Sequence, residues 1–305
     1  MKLPQPITVL ERGWLSSNNV LLRGADGVAL VDSGYGSHVP QTLALLERSL
    51  RGAPLARLIN THCHSDHMGG NAAVKRHFGC AISLPVGEAP LIESWDEERL
   101  LLRYADQRTE RFTFEATFAP GDVLSLGGFD WQVLAAPGHD TNATMLYSAE
   151  TRVLVSGDAL WENGFGVLFP QMLGSATCFA ETRGTLESIA ALDIDVVIPG
   201  HGAPFSEVDA ALERAFSRLH AFEEDPGRVG RHAAKVILTF ALLERRSMAC
   251  ADLPAYVERV GILRDINHRY FAMTPEHFAE WLVHELERAR AIRRVDGAIE
   301  PLVAP

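Results

Sequence analysis

The sequence Thr-His-Cys-His-Ser-Asp-His-Met-Gly-Gly-Asn occupies residues 61–71 and follows a short apolar segment, residues 55–60. Residues 62–67 of this stretch include the candidate metal ligands His62, His64, Asp66 and His67. Because alternate residues of an extended segment face the same way, the first two histidines can reach one ion while Cys63 points away. We expect the chain to turn into a helix at Asp66, so that Asp66 and His67 address a second ion nearby. Imidazole and carboxylate groups suit zinc and other first-row metals.

Three later segments supply further ligand-type residues. His139 lies in Ala-Pro-Gly-His-Asp, Asp158 in Ser-Gly-Asp and His201 in Pro-Gly-His-Gly. Each follows an apolar segment that we predict to be a strand, and each lies beside a glycine that lets the backbone turn sharply. Pro-Gly and Gly-Asp are ordinary turn dipeptides when taken singly. Together with residues 61–71 they predict one composite metal site.

The surrounding pattern predicts an α/β fold. Residues 18–32 are typical of two strands joined at an Asp-Gly turn, residues 37–50 have helical spacing, and residues 55–60 form a strand. The same order recurs as strands within 121–157, a helix at 178–192 and a strand at 195–198. Residues 86–112 also look helical. Sheets layered with helices follow from this order, and ligands usually bind at the strand ends of such sheets.

The motif and the three later residues resemble the metallo-β-lactamase superfamily, with the glyoxalase II and lactonase-like branches nearest. The resemblance covers about residues 7–205 and implies a four-layer αβ/βα sandwich with metals at one edge. His62, His64 and His139 resemble the first metal site, and Asp66, His67 and His201 resemble the second. Asp158 resembles the carboxylate that bridges them. Asp32 resembles an early structural aspartate that lies near the site without being a ligand.

The resemblance implies two divalent ions, with zinc first and iron or manganese also fitting the ligand set. It implies a hydrolase in which hydroxide bridging the ions attacks a small ester, thioester or lactone, with Asp66 or Asp158 as the proton acceptor. One alternative is an oxidoreductase like the mono-iron persulfide dioxygenases. A second alternative is a hydrolase of the phosphodiesterase or nuclease type. All seven ligand positions are filled, which favours two ions and hydrolysis.

Two further regions bear on the substrate. Residues 159–173 carry Trp161, Phe165 and Phe169, which we predict to form an apolar wall of the substrate pocket. We place the catalytic domain at residues 1–205 and a mostly helical region at residues 206–305. That region ends in a predicted hairpin at Asp296-Gly297 and more weakly resembles the winged-helix appendage of some relatives. It has no tight cluster of lysine and arginine, so we expect a role in packing, dimerisation or closing the pocket.

Composition limits the partners. The 305 residues have a net charge of −11, and the acidic excess lies in residues 1–225, which disfavours nucleic acid as a partner. Four scattered cysteines are typical of free thiols in a reducing cytoplasm. No apolar stretch approaches the roughly 20 residues of a membrane span. We therefore expect a cytoplasmic protein with a small-molecule substrate, and a homodimer remains open. The seven remaining histidines are predicted to have surface or packing roles.

Overall fold

The computed structural model describes residues 3–302 of the chain. Within them the strands are β1 (Ile7–Leu10), β2 (Asn19–Gly24), β3 (Gly27–Val31), β4 (Leu55–Ile59), β5 (Ala81–Pro85), β6 (Ala116–Phe118), β7 (Val123–Leu126), β8 (Phe129–Ala135), β9 (Thr144–Ser148), β10 (Val153–Gly157), β11 (Val196–Pro199), β12 (Met248–Ala249), β13 (Ile292–Val295) and β14 (Ala298–Pro301). The helices are α1 (Val39–Leu50), α2 (Ser65–Met68), α3 (Asn71–Phe78), α4 (Ala89–Ser94), α5 (Phe169–Met172), α6 (Cys178–Ala190), α7 (Val208–Glu224), α8 (Gly227–Arg245), α9 (Leu253–Arg259), α10 (Gly261–Ile266) and α11 (Pro275–Arg288).

Two mixed sheets form the centre of the molecule. The first runs β1-β2-β3-β4-β5-β6, antiparallel from β1 to β3 and parallel from β3 to β6. The second runs β11-β10-β9-β8-β7, with β10 and β11 parallel and the remaining pairs antiparallel. The predicted hairpin at Asp26-Gly27 is confirmed as the turn β2–β3, and Gly127-Gly128 forms the turn β7–β8.

The two sheets pack face to face because their strands are apolar on both sides. On β2, Val20 and Leu22 face the second sheet and pack near Trp131 and Val155, whereas Leu21 belongs to the core beneath α1 and α3. This alternation follows from the two-residue period of a strand. Since both faces must be covered, helices form the two outer layers. The predicted four-layer αβ/βα sandwich is confirmed.

One predicted helix is wrong. Residues 86–112 contain only the six-residue α4, and the chain beyond it runs through turns up to β6. Trp95 ends α4 in the left-handed conformation, and Leu101 and Asp106 also have positive φ. Such residues interrupt a helix because the left-handed region is costly for side chains with a Cβ. The charges in this segment instead make local ion pairs, such as that between Arg103 and Glu97.

The C-terminal region is helical, as expected, with a small sheet at its end. Helices α7 to α11 surround the order β12-β14-β13, and the predicted hairpin at Asp296-Gly297 is confirmed with positive φ at both residues. Asp106 joins this region to the sandwich through ion pairs with Arg245 of α8 and Arg259 of α9. All four cysteines are free. Among residues 3–302, no helix is long and apolar enough to span a membrane.

Candidate metal centre

Seven side chains from four strand ends meet at one edge of the sandwich. His62, His64, Asp66 and His67 follow β4, His139 follows β8, Asp158 follows β10 and His201 follows β11. The carboxyl ends of these strands reach the same edge because β4 lies in one sheet and β8, β10 and β11 in the other, with their inner faces packed together. All of the histidines are buried. The structure thus brings the seven sequence-predicted side chains to one place.

The first group consists of His62, His64 and His139, whose candidate ligand atoms lie within 4.8 Å of one another. Nδ1 of His64 is 2.7 Å from Nε2 of His139. Nδ1 of His139 donates a hydrogen bond to the carbonyl oxygen of Val167 at 2.6 Å, so its Nε2 carries a lone pair in the neutral ring. Histidines that bind metals typically have this pattern: one ring nitrogen donates a hydrogen bond to the protein, and the other is available to the metal.

The second group consists of Asp66, His67, Asp158 and His201. Oδ2 of Asp66 lies 3.1 Å from Nε2 of His201. Asp158 faces both groups: its Oδ1 is 3.4 Å from Nε2 of His67, and its Oδ2 is 3.3 Å from Nε2 of His139. One carboxylate therefore presents one oxygen to each group, the position expected of a bridging ligand.

Asp32 organises the histidines from behind. Its Oδ2 accepts hydrogen bonds from Nδ1 of His67 and from the hydroxyl of Thr61, both at 2.8 Å. Nδ1 of His62 donates in turn to that hydroxyl at 3.1 Å. Asp32 thereby directs Nε2 of both histidines into the site and is itself not a member of either group. Its left-handed backbone, with φ of 57°, is one that aspartate tolerates better than most residues.

The charges of the site are tightly coupled. Burial lowers the pKa of His62 well below its usual value, and it lowers that of His64 to about 4. Burial also disfavours the charged form of His67, but the carboxylates of Asp32 and Asp158 outweigh it and raise that pKa. Burial acts against ionised Asp158, yet the neighbouring His67 and His201 hold its pKa well below the usual range. The site therefore keeps its carboxylates ionised.

The donor set fits divalent metal ions. Nε2 of His62, Nε2 of His67 and Nδ1 of His201 are buried and have no hydrogen-bond partner. Such groups are costly unless an ion or a solvent molecule takes up the lone pair. Asp158 also depends on the glycine at position 200, because a Cβ on Gly200 would overlap Oδ1 of Asp158. Nitrogen and carboxylate donors in groups of three and four suit zinc and other first-row metals.

Comparison with known proteins agrees with this geometry. The family model of the metallo-beta-lactamase superfamily matches residues 12–201, which include all seven side chains. The chain belongs to the metallo-beta-lactamase superfamily. Within this superfamily, a hydroxyacylglutathione hydrolase from Rhizobium etli is 28% identical over 175 residues. That match covers 57% of this chain and 59% of the relative, so the chain spans little more than half of the relative's length.

Solved structures extend the similarity to the whole fold. A metallo-beta-lactamase family protein from Thermus thermophilus is 20% identical, with a TM-score of 0.59 over 98% of this chain and 99% of that one. A beta-lactamase domain protein from Burkholderia ambifaria is 22% identical, with a TM-score of 0.58 over 100% of this chain and 94% of that one. The helical C-terminal region thus lies within the aligned fold.

A cavity of about 390 Å³ opens from the metal centre of this metallo-beta-lactamase domain. Trp161 and Phe169 line it, and the Phe169 ring lies 5.0 Å from that of His64 and 5.4 Å from that of His139. Phe165 does not line the cavity, contrary to the sequence prediction. It packs against Phe222 of α7 instead, with Arg218 over its ring.

Sequence reasoning missed several other residues that line the cavity. Trp14, half exposed, stacks on His201 with a ring distance of 5.7 Å, and α8 contributes a face that includes His232, Lys235 and Phe240. The three-to-four residue spacing of that face was visible in the sequence. The spacing alone does not indicate whether this face of α8 lines a cavity or packs in the hydrophobic core, because both require an apolar helix face.

Proposed function

We propose that the chain is a metal-dependent hydrolase that holds two divalent ions and cleaves a small ester, thioester or lactone. The observation that carries this proposal is the position of Asp158, whose two oxygens face two separate groups of imidazole nitrogens. When bound, two such ions would supply polarisation of a substrate carbonyl and activation of a water molecule at neutral pH. The family and the hydrolase relatives support the same class of reaction.

In this proposal the chain's own residues bind the ions and accept protons. His62, His64 and His139 would hold one ion, Asp66, His67 and His201 would hold the other, and Asp158 faces both groups. The low pKa values of Asp66 and Asp158 keep both carboxylates ionised, although burial opposes this, so either is able to accept a proton. Cys63 takes no part as a nucleophile, since burial raises the pKa of its thiol well above the usual value.

The exposed face of α11 supports a small molecule rather than nucleic acid as the substrate. In a winged helix the exposed face of a helix such as α11 would contact DNA. Here that face carries Glu280 and Glu287, and both pair with Arg294 of the hairpin. An acidic helix whose neighbouring arginine is already paired is a poor surface for phosphates.

The test combines metal analysis with a substrate panel. His64→Ala is expected to reduce bound metal and abolish turnover of thioesters and lactones, with the circular dichroism spectrum unchanged. His77→Ala is the matched control, because His77 is exposed and pairs with Glu47 on the surface. Undiminished turnover in the His64 variant would remove that residue from the site. One iron per chain and consumption of oxygen would favour the dioxygenase alternative, and cleavage of phosphodiesters alone would favour the nuclease alternative.

A further inference from the structure

The cavity at the metal centre is walled along one side by helix α8. The helix contributes a continuous stripe spaced three and four residues apart: His232, Lys235, Val236, Thr239, Phe240 and Leu243. At 1.5 Å per residue, the stripe extends about 16 Å along the helix. Leu286 of α11 and Ala289, which directly follows that helix, also line the cavity. The cavity is therefore elongated along α8.

Most of this wall is apolar, but it contains one basic side chain. Among the described residues that line the cavity, Lys235 is the only lysine or arginine. Within residues 3–302 it makes no hydrogen bond and has no carboxylate within 4.0 Å, so neither Asp66 nor Asp158 neutralises it. The other described lysine, Lys75, is paired with Glu115 on the surface. An unpaired ammonium group beside an apolar cavity lacks the counter-charge that a ligand can supply.

His232 lies one helical turn before Lys235 and also lines the cavity. Its Nε2 is buried without a hydrogen-bond partner. Burial, together with the positive charges of Arg218 and Lys235, lowers its pKa to about 4, so the ring is neutral at physiological pH. A neutral imidazole is able to donate one N–H to an anion that Lys235 attracts. Two independent polar groups therefore lack partners at the same stretch of α8.

We infer that the substrate is an acyl compound that carries a carboxylate in addition to the reacting carbonyl, and that Lys235 binds this carboxylate while the apolar wall of α8 packs on the hydrocarbon between the two groups. The inference rests on the proposed function for the reacting carbonyl. It assigns the C-terminal region a direct part in substrate selection. Lys235 is a specificity-determining residue in this account, with His232 as its neighbour in the subsite.

Matched substrate pairs test the inference. The half-thioesters of succinic, adipic and suberic acid carry a terminal carboxylate, and the butanoyl, hexanoyl and octanoyl thioesters are their neutral counterparts. We expect the wild-type protein to have the lower KM for the charged member of at least one pair. Lys235→Met should raise the KM of that charged thioester roughly tenfold or more and leave its neutral counterpart nearly unchanged, since a hydrogen bond to a charged group is lost.

Direct binding separates this inference from the proposed hydrolysis. Calorimetry with adipate and hexanoate on the metal-loaded protein reports binding without turnover. We expect Lys235→Met to weaken adipate roughly tenfold relative to hexanoate, and Lys75→Met to change neither. Lys235→Arg should retain the preference for adipate because it retains the charge. If Lys235→Met lost affinity equally for both acids, or lost none, the inference would be overturned while the hydrolase proposal remained intact. Absence of turnover on every substrate, with the adipate preference present, would count against the hydrolase proposal alone.

Discussion

Asp32 and His67 are joined by a hydrogen bond of 2.8 Å between Oδ2 of the aspartate and Nδ1 of the imidazole. Both residues are buried, and they come from different strand ends, β3 and β4. The bond fixes which nitrogen of His67 is free, and it orients the ring toward Asp158. A residue outside the two candidate ligand groups therefore fixes the orientation of a side chain within them.

Asp32→Asn is expected to weaken metal binding. Asparagine tolerates the left-handed backbone at this position, so the fold should persist. Its side-chain amide does not replace the carboxylate that receives both His67 and Thr61. We expect metal affinity, measured by competition with a chelator, to fall about 10- to 100-fold. Asp130→Asn, on an exposed strand position, serves as the control. Wild-type affinity in the Asp32 variant would show that this hydrogen bond is dispensable.

Gly200→Ala should damage the site without changing any ligand. The new Cβ would overlap Oδ1 of Asp158 and approach His67. Because the first clash is with a ligand-type oxygen, we expect loss of bound metal and of turnover, with the secondary structure retained. Gly184→Ala is the matched control: it lies in α6 with no atom near the added Cβ, and helix propensity predicts a gain of up to about 1 kcal/mol. Full metal content in the Gly200 variant would contradict this account of the site.

Phe169→Ala and Phe165→Ala should have different effects although the two residues are close in sequence. Phe169 lines the cavity, so its loss should raise the KM of longer acyl substrates more than that of acetyl thioesters. Phe165 is buried against Phe222, so its loss should lower the free energy of unfolding by about 3 kcal/mol or more. Steady-state kinetics and thermal denaturation of both variants measure the difference. Identical kinetic and stability profiles would argue against the assigned cavity wall.

Asp106→Asn should weaken the attachment of the C-terminal helices at neutral pH. Burial opposes ionisation of Asp106, but Arg259 and Arg245 outweigh it and lower its pKa. A carboxyl with a lowered folded pKa contributes stability above its unfolded value, about 4, and loses it as the pH falls through the folded pKa. We expect a loss of about 1 kcal/mol at pH 7 that shrinks below pH 4.

Denaturation of the Asp106 variant at several pH values provides the measurement. Asp193→Asn is the control, since Asp193 pairs with Arg152 where both side chains are well exposed, and little change is expected. A destabilisation of Asp106→Asn that is the same at pH 3 and pH 7 would show that the ion pairs are not its cause.

The sequence was informative where chemistry restricts the choice of residue. Seven ligand-type side chains after apolar segments predicted the edge at which the two sheets bring them together, and Asp-Gly turns located two of the hairpins. Residues 86–112 were misjudged because their helical spacing is overridden by left-handed residues such as Trp95. The cavity wall on α8 could not be foreseen, because the packing of a helix on a distant edge depends on contacts far apart in sequence. The same limit explains why Phe165 and Phe169 were assigned together.

Metal content measured together with turnover tests the central claim most directly. The purified chain should bind two divalent ions, lose thioester or lactone hydrolysis as a chelator removes them, and regain it when zinc, iron or manganese is restored. Asp158→Ala should prevent occupation of both sites at once, because that carboxylate faces both groups. Hydrolysis that persists in the metal-free protein, or two ions bound equally well by Asp158→Ala, would contradict the account.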